Sequence, residues 1–372
     1  MRLTRIRLQE IRLPLREPFR VSSGGSTLRR ILLVRLALDD REGIGECVAT
    51  ETPYYSPETV DTARLAIERY LGPALLDRDF ASPGDVSAAL DRAARGHRMA
   101  KAALEMAARD AFARHAGVPL ARALGGTRPA VRAGVSIGLQ EDTGALLDRV
   151  AAYLDQGYVR VKLKIARGRD RSTVAAVRAR YPDIALTVDA NAAYGPDDLD
   201  RLAALDEFGL DYIEQPFPAD TLLLHARLQA RMETPVCLDE SITSADRCRD
   251  ALHLDACRVV NIKPGRLGGH GPAIAVHDLC AGAGVPVWCG GMLESGVGRA
   301  HNLALASLPN MRLPGDTSAS DRYWERDVVD PPFRLNPDGT VDVPAGPGIG
   351  VELDEAFLAS VTVASGEVLS PG

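Results

Sequence analysis

The 372-residue sequence lacks the patterns that mark several large classes of protein. No segment approaches the ~20 consecutive apolar residues that cross a bilayer, so no membrane span is expected. The first 15 residues alternate apolar and basic side chains instead of forming one apolar run, which favours a β-strand over a signal peptide. We therefore expect a cytoplasmic protein.

Cysteine and histidine motifs are also missing. The six cysteines include no CxxC pair and mostly lie in apolar runs, which predicts buried, reduced thiols rather than a zinc site or a disulfide framework. The seven histidines are scattered without an HxxxH pair, so no histidine-based metal site is expected. The net charge is -6 without a block of like charges, which leaves nucleic-acid binding without electrostatic support.

Two different patterns divide the chain. The first third contains alternating strand patterns followed by helical stretches, which is typical of an α+β domain. From about residue 130, short apolar runs alternate with helical stretches, and about eight such units predict a closed barrel of parallel strands. The runs lie at 133–137, 159–164, 185–189, 211–214, 236–239, 259–263, 287–290 and 311–314.

These patterns predict three parts. Residues 1–125 form an α+β capping domain, and residues 126–324 form a (β/α)7β TIM-like barrel. Residues 325–372, rich in Pro, Gly and Asp, are expected to return to the capping domain.

Five polar residues follow the predicted barrel strands at an even spacing. Lys164, Asp189, Glu214 and Asp239 are each 25 residues apart, and Lys263 follows 24 residues later. One βα unit has about this length, so each residue takes the same place on successive strands. The carboxyl ends of barrel strands meet around one pocket, which predicts that all five side chains surround a single mouth.

Three carboxylates in one pocket indicate a metal site. Unpaired anions at close range repel one another, and a hard divalent cation removes that conflict. Oxygen ligands from Asp189, Glu214 and Asp239 favour Mg²⁺, with Mn²⁺ as a substitute. About three of the six octahedral positions would remain open for substrate or water.

The two lysines flank this carboxylate group in strand order, so we expect them on opposite sides of the metal. A cation at this place suits proton removal from carbon next to a carboxylate, because it stabilises the charge of the enediolate. A lysine whose pKa is lowered by nearby cations can act as the base. The second lysine can return a proton or stabilise the intermediate while a group leaves.

Neighbouring residues suggest further roles. Lys162 shares the strand face of Lys164, so it either lowers the pKa of Lys164, touches a substrate carboxylate, or contacts solvent. Asn191 either binds substrate or serves its loop, and Glu240 could support Lys263 or the metal ligands. Gly290 and Gly291 would let a ligand approach the backbone closely.

Two other classes of protein remain open at this point. A Schiff-base aldolase could use Lys263 as its nucleophile, although it would not need three carboxylates. A barrel kept only for interaction would bind no metal and would not exchange a substrate α-hydrogen.

The chain resembles the enolase superfamily, in its muconate lactonizing enzyme subgroup, over nearly its whole length. The resemblance lies in VKLKI (161–165), TVDANAAY (187–194), YIEQP (212–216), CLDES (237–241) and VNIKPGRLGG (260–269). It implies Mg²⁺ bound by Asp189, Glu214 and Asp239, an acid/base pair of Lys164 and Lys263, and a homo-oligomer. It also implies a capping domain that closes over the barrel, with candidate substrate contacts at Tyr55, Ser136, Lys162, Asn191, Gly291 and Met292.

Two further segments, 287–310 and 313–327, resemble the branch of o-succinylbenzoate synthases and N-acylamino-acid racemases. The resemblance implies a small carboxylate substrate and one of two reactions: dehydration to o-succinylbenzoate in menaquinone biosynthesis, or racemisation of N-succinylamino acids. One active site could catalyse both reactions. Dipeptide epimerases typically carry an Asp-x-Asp motif where this chain has Met292-Leu293-Glu294, which weakens that alternative. Residues 22–26, Ser-Ser-Gly-Gly-Ser, are expected to form a flexible loop between the first two strands. Ser23 stands where the branch usually has Phe in the first capping loop, so the lid is expected to be more polar.

Overall fold

The computed structural model describes residues 1–21 and 24–369. Its strands, in chain order, are β1 (Leu3–Val21), β2 (Gly24–Leu38), β3 (Arg41–Cys47), β4 (Ala130–Arg132), β5 (Gly134–Ile137), β6 (Arg160–Lys164), β7 (Leu186–Asp189), β8 (Ile213–Glu214), β9 (Val236–Leu238), β10 (Val259–Ile262), β11 (Val287–Cys289), β12 (Val329–Asp330), β13 (Thr340–Asp342), β14 (Glu352–Leu353) and β15 (Thr362–Glu367).

The α-helices, in the same order, are α1 (Val60–Ala66), α2 (Pro83–Ala93), α3 (Arg98–His115), α4 (Leu120–Leu124), α5 (Thr143–Asp155), α6 (Asp170–Arg180), α7 (Leu199–Ala203), α8 (Leu222–Gln229), α9 (Ala245–His253), α10 (Pro264–Leu267), α11 (His270–Gly282), α12 (Gly296–Ala306) and α13 (Glu355–Val361). A π-helical turn, Ile67–Leu71, continues α1.

The capping domain is an antiparallel sheet covered by α3. The strand order is β15-β1-β2-β3, so the C-terminal strand pairs with the N-terminal one. Strand β3 lies directly on the alanine-rich helix: a methyl group added to Gly43 or Gly45 would lie 2.1 Å from the carbonyl oxygen of Ala107 or Ala103. The two glycines therefore allow the close approach that buries this side of the sheet.

The barrel contains, among the described residues, seven parallel strands in the order β5 to β11. Helices between consecutive strands cover the outside, as expected for right-handed βα units. Residues 311–315 complete the ring: Met311 bridges Val287 of β11, and Gly315 bridges Ala133, which precedes β5. The predicted (β/α) barrel is confirmed.

Two local predictions were wrong. Residues 311–314 were predicted as a regular strand, yet they pair only through isolated bridges, because Pro314 supplies no amide hydrogen. Gly24, Gly25 and Ser26 were expected to belong to the flexible loop 22–26, but their backbone is part of β2 and pairs with β1. Ser23, on which the polarity of the lid was argued, lies outside the described residues.

Three smaller predictions can be compared with the structure. All six cysteines are buried and none forms a disulfide, as expected from their apolar surroundings. The C-terminal segment reaches the capping sheet through β15, while β13 pairs with β4 at the start of the barrel. Within residues 1–21 and 24–369, no helix combines the length and apolar character needed to cross a bilayer.

Candidate active site

The even spacing of the polar residues corresponds to strand register. Lys164 pairs across the sheet with Asp189, and Asp189 pairs with Glu214, so the three lie side by side on β6, β7 and β8. Asp239 and Lys263 each lie one residue beyond their strands, β9 and β10. Asp239 and Lys263 therefore lie further along the barrel axis than the even spacing in sequence predicts.

Each carboxylate of this group is paired with a lysine. Nζ of Lys164 lies 2.6 Å from Asp189 Oδ2, and Nζ of Lys263 lies 2.7 Å from Asp239 Oδ2. Nζ of Lys162 lies 2.9 Å from Glu214 Oε2. Asp189, Glu214 and Asp239, at the ends of β7, β8 and β9, are called the carboxylate row below. Because β8 lies between β7 and β9, Lys164 and Lys263 approach this row from opposite ends.

The electrostatics show that the carboxylates are close enough to affect one another. Burial, helped by the charges of Asp189 and Asp239, raises the pKa of Glu214 to about 7. Burial also acts on the two aspartates, but Lys164 and Lys162 outweigh it and lower the pKa of Asp189. Glu214 is therefore the member of the group whose charge is least well balanced.

Glu240 lies beside the same group and shows the same effect. Burial, then the charges of Asp239 and Asp189, raises the pKa of Glu240 to about 8. Its Oε1 accepts a hydrogen bond from Asn191 Nδ2 at 3.4 Å, while its Oε2 has no partner among the described residues. An unpaired carboxyl oxygen thus lies next to the two aspartates.

A cavity of about 260 Å³ opens above the carboxylate row. All six candidate substrate contacts line it, together with Lys164, Lys263, Asp189 and Glu240. Glu214 and Asp239 are more deeply buried, with 0% and 1% of their surfaces exposed. The remaining lining comes from Leu28, Arg29, Thr50, Glu51, Thr52, Tyr54, Leu293, Asp316 and Tyr323.

Residues from the capping domain close one side of this cavity. Tyr55 follows β3, and its hydroxyl donates a hydrogen bond to Asp239 Oδ1 at 2.9 Å. The ring of Tyr55 also faces Lys263, whose Nζ lies 4.5 Å from the ring centroid. The capping domain therefore contacts both a carboxylate of the row and one of its lysines.

Two polar residues near the ends of β5 and β7 also line the cavity. Asn191 Oδ1 accepts a hydrogen bond from Lys164 at 2.6 Å, so this asparagine helps to orient the lysine. Ser136 pairs in the sheet with Lys162, and its hydroxyl is buried without a partner in the described part of the chain. A buried hydroxyl that lines a cavity is a ready contact for a polar ligand.

The glycine pair after β11 has a different role from the one expected of Gly290. A methyl group on Gly290 would lie 2.2 Å from Asn261 Oδ1 and 2.7 Å from Lys263 Cε, so this glycine makes room for protein side chains. Gly291 does line the cavity, next to the carbonyl oxygen of Asp316. Close ligand approach to the backbone is thus possible only at the second glycine.

Replacing Gly290 with Ala is expected to displace Lys263 and to lower kcat by about 10-fold or more, as misplacement of a catalytic group does. Gly282→Ala is the matched control, because nothing lies within 4 Å of a methyl group there. Steady-state assays of both variants test this expectation. Unchanged kcat in Gly290→Ala would show that the lysine tolerates the crowding.

Several residues of the site were not predicted from the sequence. Asn261 Nδ2 donates to Glu214 Oε1 at 2.7 Å, and Arg266 forms an ion pair with Asp239 and a 3.2 Å hydrogen bond with the hydroxyl of Tyr55. Asp316 accepts from Lys162 at 2.7 Å. Asn261 and Arg266 lie inside the motif around Lys263, so their positions were visible, although their contacts were not.

One compositional signal could have identified the lysines directly. The chain has 44 basic residues, but only four are lysines: Lys101, Lys162, Lys164 and Lys263. Three of the four line the cavity. Lysine, unlike arginine, can lose its proton when its surroundings change, so its confinement to this cavity points to acid/base chemistry.

The donor set is suited to a hard cation, although the three carboxylates are not gathered as ligands. No cluster of three His, Cys, Asp or Glu side chains with metal-binding geometry occurs in residues 1–21 and 24–369. The ion pairs with Lys162, Lys164 and Lys263 explain this, because each lysine draws one carboxylate toward itself. All-oxygen donors at the ends of three neighbouring strands, β7, β8 and β9, fit Mg²⁺ chemistry.

The comparisons with known proteins agree with this architecture. Residues 4–125 match the family "Mandelate racemase / muconate lactonizing enzyme, N-terminal domain", and residues 145–357 match "Enolase C-terminal domain-like". The chain is 49% identical over 371 residues to an N-succinylamino acid racemase of Amycolatopsis sp, covering 98% of this chain and 100% of that protein. It is 48% identical over 356 residues to an o-succinylbenzoate synthase of Geobacillus kaustophilus, covering 95% and 94%.

A solved structure gives the same result. The crystal structure of an enolase superfamily member from Listeria innocua superposes with a TM-score of 0.96 at 41% identity, and the match covers 99% of each chain. The match to this structure therefore spans nearly the whole chain. The chain belongs to the enolase superfamily, with the N- and C-terminal domains of its mandelate racemase and muconate lactonizing enzyme group.

Proposed function

We propose that this enzyme removes a proton from carbon next to a carboxylate, and that its principal reaction is the dehydration of 2-succinyl-6-hydroxy-2,4-cyclohexadiene-1-carboxylate to o-succinylbenzoate. The observation that carries the proposal is the placement of Lys164 and Lys263 in one cavity, at opposite ends of a row of buried carboxylates. Relatives named for this reaction are 42–48% identical to the chain.

Lys164 is the base in this proposal. Its amine reaches Asp189 and Asn191 at 2.6 Å each and lines the cavity, so a substrate carbon above the carboxylate row lies within its reach. Syn elimination removes a proton and a hydroxyl group from the same face of the ring. Lys164 can therefore return the proton it has taken to the departing hydroxyl, which leaves as water.

Lys263 has a supporting part in the dehydration. Burial would lower its pKa, but the surrounding acidic groups, Asp239 first among them, together outweigh burial and raise that pKa well above the ordinary value. An ammonium group at this place stabilises the negative charge and the ring system of the intermediate. This role does not require Lys263 to lose its proton.

Racemisation of N-succinylamino acids is the second candidate reaction. It needs one lysine on each face of the α-carbon, and the approach of Lys164 and Lys263 from opposite ends of the carboxylate row supports this reaction. Relatives named as N-succinylamino acid racemases are 48–49% identical to the chain. Both substrates carry a carboxylate and a succinyl arm, so one cavity could serve both reactions.

Asp189, Glu214 and Asp239 are the residues that would hold Mg²⁺, with Mn²⁺ as a substitute. When bound, the ion would stabilise the charge that develops on the substrate carboxylate as its α-proton is removed. It would also offset the Asp239 charge that raises the pKa of Lys263, which would let that lysine act as a base. Ser136, Lys162 and Gly291 line the cavity near this position and would contact the substrate carboxylate or its succinyl arm.

The decisive experiment assays the purified protein with Mg²⁺ on both substrates. Formation of o-succinylbenzoate and deuterium exchange at the α-carbon of N-succinyl-L-phenylalanine in D₂O are measured in parallel. We expect dehydration, with exchange as a second activity, and loss of both in EDTA. Covalent trapping by borohydride with EDTA-resistant activity would instead indicate a Schiff-base aldolase, and no exchange and no dehydration would refute the proposal.

A further inference from the structure

The inward face of β6 carries three cations at two-residue spacing. Arg160, Lys162 and Lys164 point to the same side of the strand because side chains alternate along it. Arg160 and Lys162 are almost completely buried, with 1% and 3% of their surfaces exposed. Charges this deep in a barrel need counter-charges nearby, so their partners determine where each group can lie.

Asp316 is the shared partner of the two deeper cations. Its Oδ2 lies 2.7 Å from Lys162 Nζ, and its Oδ1 lies 2.9 Å from Arg160 Nη2. The backbone of Asp316 is itself fixed, because its amide donates to Cys289 at 3.0 Å and its carbonyl accepts from Arg299 at 2.8 Å. This carboxylate is therefore a rigid support and not a mobile surface charge.

Trp288 also contacts Lys162, through its indole ring. The indole is fully buried and stacks on Tyr212 with centroids 5.8 Å apart. Lys162 Nζ lies 4.8 Å from the ring centroid, and the Arg160 guanidinium carbon lies 5.2 Å from it. Both cations thus lie close to one aromatic ring, an arrangement that gains stability in a desolvated site.

The position of Lys162 matters because it has competing acidic partners. Besides Asp316, its amine lies 2.9 Å from Glu214 Oε2 and 3.5 Å from Asp189 Oδ2. Those two carboxylates are among the three proposed above to hold Mg²⁺. A lysine whose amine bound only to these carboxylates would compete with the metal. A lysine that Asp316 and Trp288 also hold leaves the carboxylate oxygens more accessible.

We infer that Asp316 and Trp288 are positioning residues that share Lys162 with the metal-binding carboxylates and so limit how strongly its amine binds to Glu214 and Asp189. This inference rests on the proposed function, because it takes Glu214 and Asp189 as metal ligands. It predicts that either residue can change metal affinity without touching the metal. Loss of Trp288 is the more specific case, because it alters no charge in the cavity.

The test compares Mn²⁺ binding, measured by electron paramagnetic resonance, in wild type, Asp316→Asn, Asp316→Glu and Trp288→Leu. We expect the Mn²⁺ Kd to rise about 10-fold or more in Asp316→Asn, as for other residues that orient metal ligands, and to recover in Asp316→Glu. Trp288→Leu should raise it about fivefold, the equivalent of ~1 kcal/mol for a buried cation–π contact. Values of kcat and KM for both substrates are measured alongside.

The matched control is Asp327→Asn, a carboxylate that is 5% exposed and binds Gly296 and Ser320 instead of a cavity lysine. It should leave the Mn²⁺ Kd unchanged even if thermal stability falls. A folded Asp316→Asn or Trp288→Leu protein with wild-type Mn²⁺ affinity would overturn the inference. If Trp288→Leu does not fold, the Mn²⁺ Kd values of Asp316→Asn and Asp316→Glu decide the inference.

Mn²⁺ binding is measured without substrate, so this test is independent of the proposed reactions. A wild type that binds Mn²⁺ but turns over neither substrate would refute the proposed reactions and leave this test intact.

Discussion

Replacing Lys164 or Lys263 with alanine is expected to lower kcat for N-succinylamino acid racemisation by about 10³-fold or more, within the range lost when a general acid or base is removed. Each amine lies in the cavity and contacts a different carboxylate, so neither can take over the position of the other. The dehydration should fall similarly in Lys164→Ala, because that lysine alone takes the proton. Steady-state assays of purified variants measure both effects.

The two variants should also differ from one another. With one lysine missing, the other can still remove the α-proton from the substrate enantiomer that presents hydrogen to its side. Lys164→Ala and Lys263→Ala should therefore each keep α-hydrogen exchange in D₂O with one enantiomer, and the retained enantiomer should be opposite. Proton NMR of N-succinyl-D- and N-succinyl-L-phenylalanine separates the two cases.

The chain contains one lysine outside the cavity, which provides the control. Lys101 lies on α3, pairs with Asp91 at 2.7 Å and does not line the cavity. Lys101→Ala should keep wild-type kcat even if it lowers stability slightly. Retention of exchange with both enantiomers by Lys164→Ala and by Lys263→Ala would contradict the assignment of these lysines as the acid/base pair.

Glu214→Gln is expected to weaken Mg²⁺ binding about 100-fold or more. The loss of a direct metal ligand should cost at least as much affinity as the loss of a residue that only orients a ligand. Glu214 is the central carboxylate of the row, fully buried, with its two oxygens bound to Lys162 and Asn261. The amide keeps the size of the side chain but removes one of the negative charges that the cation would neutralise. Isothermal titration calorimetry with Mg²⁺ measures the change.

An equally buried carboxylate gives the matched control for this variant. Glu105 on α3 is also 0% exposed, and it accepts hydrogen bonds from the amides of His270 and Gly271 outside the cavity. Glu105→Gln should reduce the free energy of unfolding but leave Mg²⁺ affinity unchanged. Equal Mg²⁺ affinity in wild type and Glu214→Gln would remove Glu214 from the metal site.

The barrel and its row of carboxylates could be predicted from the sequence because strand register is periodic. One βα unit of constant length placed Lys164, Asp189 and Glu214 opposite one another, and the sheet pairing shows the same alignment. The shift of Asp239 and Lys263 beyond their strands could not be predicted, since it depends on how β9 and β10 end. The limits of strands β5 to β11 differ from the predicted ones by only one or two residues.

The contacts that close the site depend on parts of the chain far apart in sequence. Tyr55 and Arg29 belong to the capping domain, and Arg29 donates to the carbonyls of Val48 and Ala49, which precede the Tyr55 segment. Asp316 follows a segment without a regular strand pattern, so no periodicity indicated that its side chain would reach Lys162. Gly290 showed that a glycine can serve a neighbouring side chain rather than a ligand.

Some expectations stay predictions. They include the domain limits 1–125, 126–324 and 325–372, the homo-oligomer, the cytoplasmic location and the roles of the individual substrate contacts. The effect of Ser23 on specificity belongs with them, because it depends on a residue outside the described part of the chain.

The central claim is that side chains from neighbouring strands surround one divalent cation, with a lysine on either side of it. Anomalous diffraction from crystals grown with Mn²⁺ tests this claim directly. We predict a single strong peak within about 2.3 Å of oxygens of Asp189, Glu214 and Asp239, with Lys164 and Lys263 on opposite sides. A peak elsewhere, or Mn²⁺-saturated crystals in which the three carboxylates remain bound only to their lysines, would contradict it.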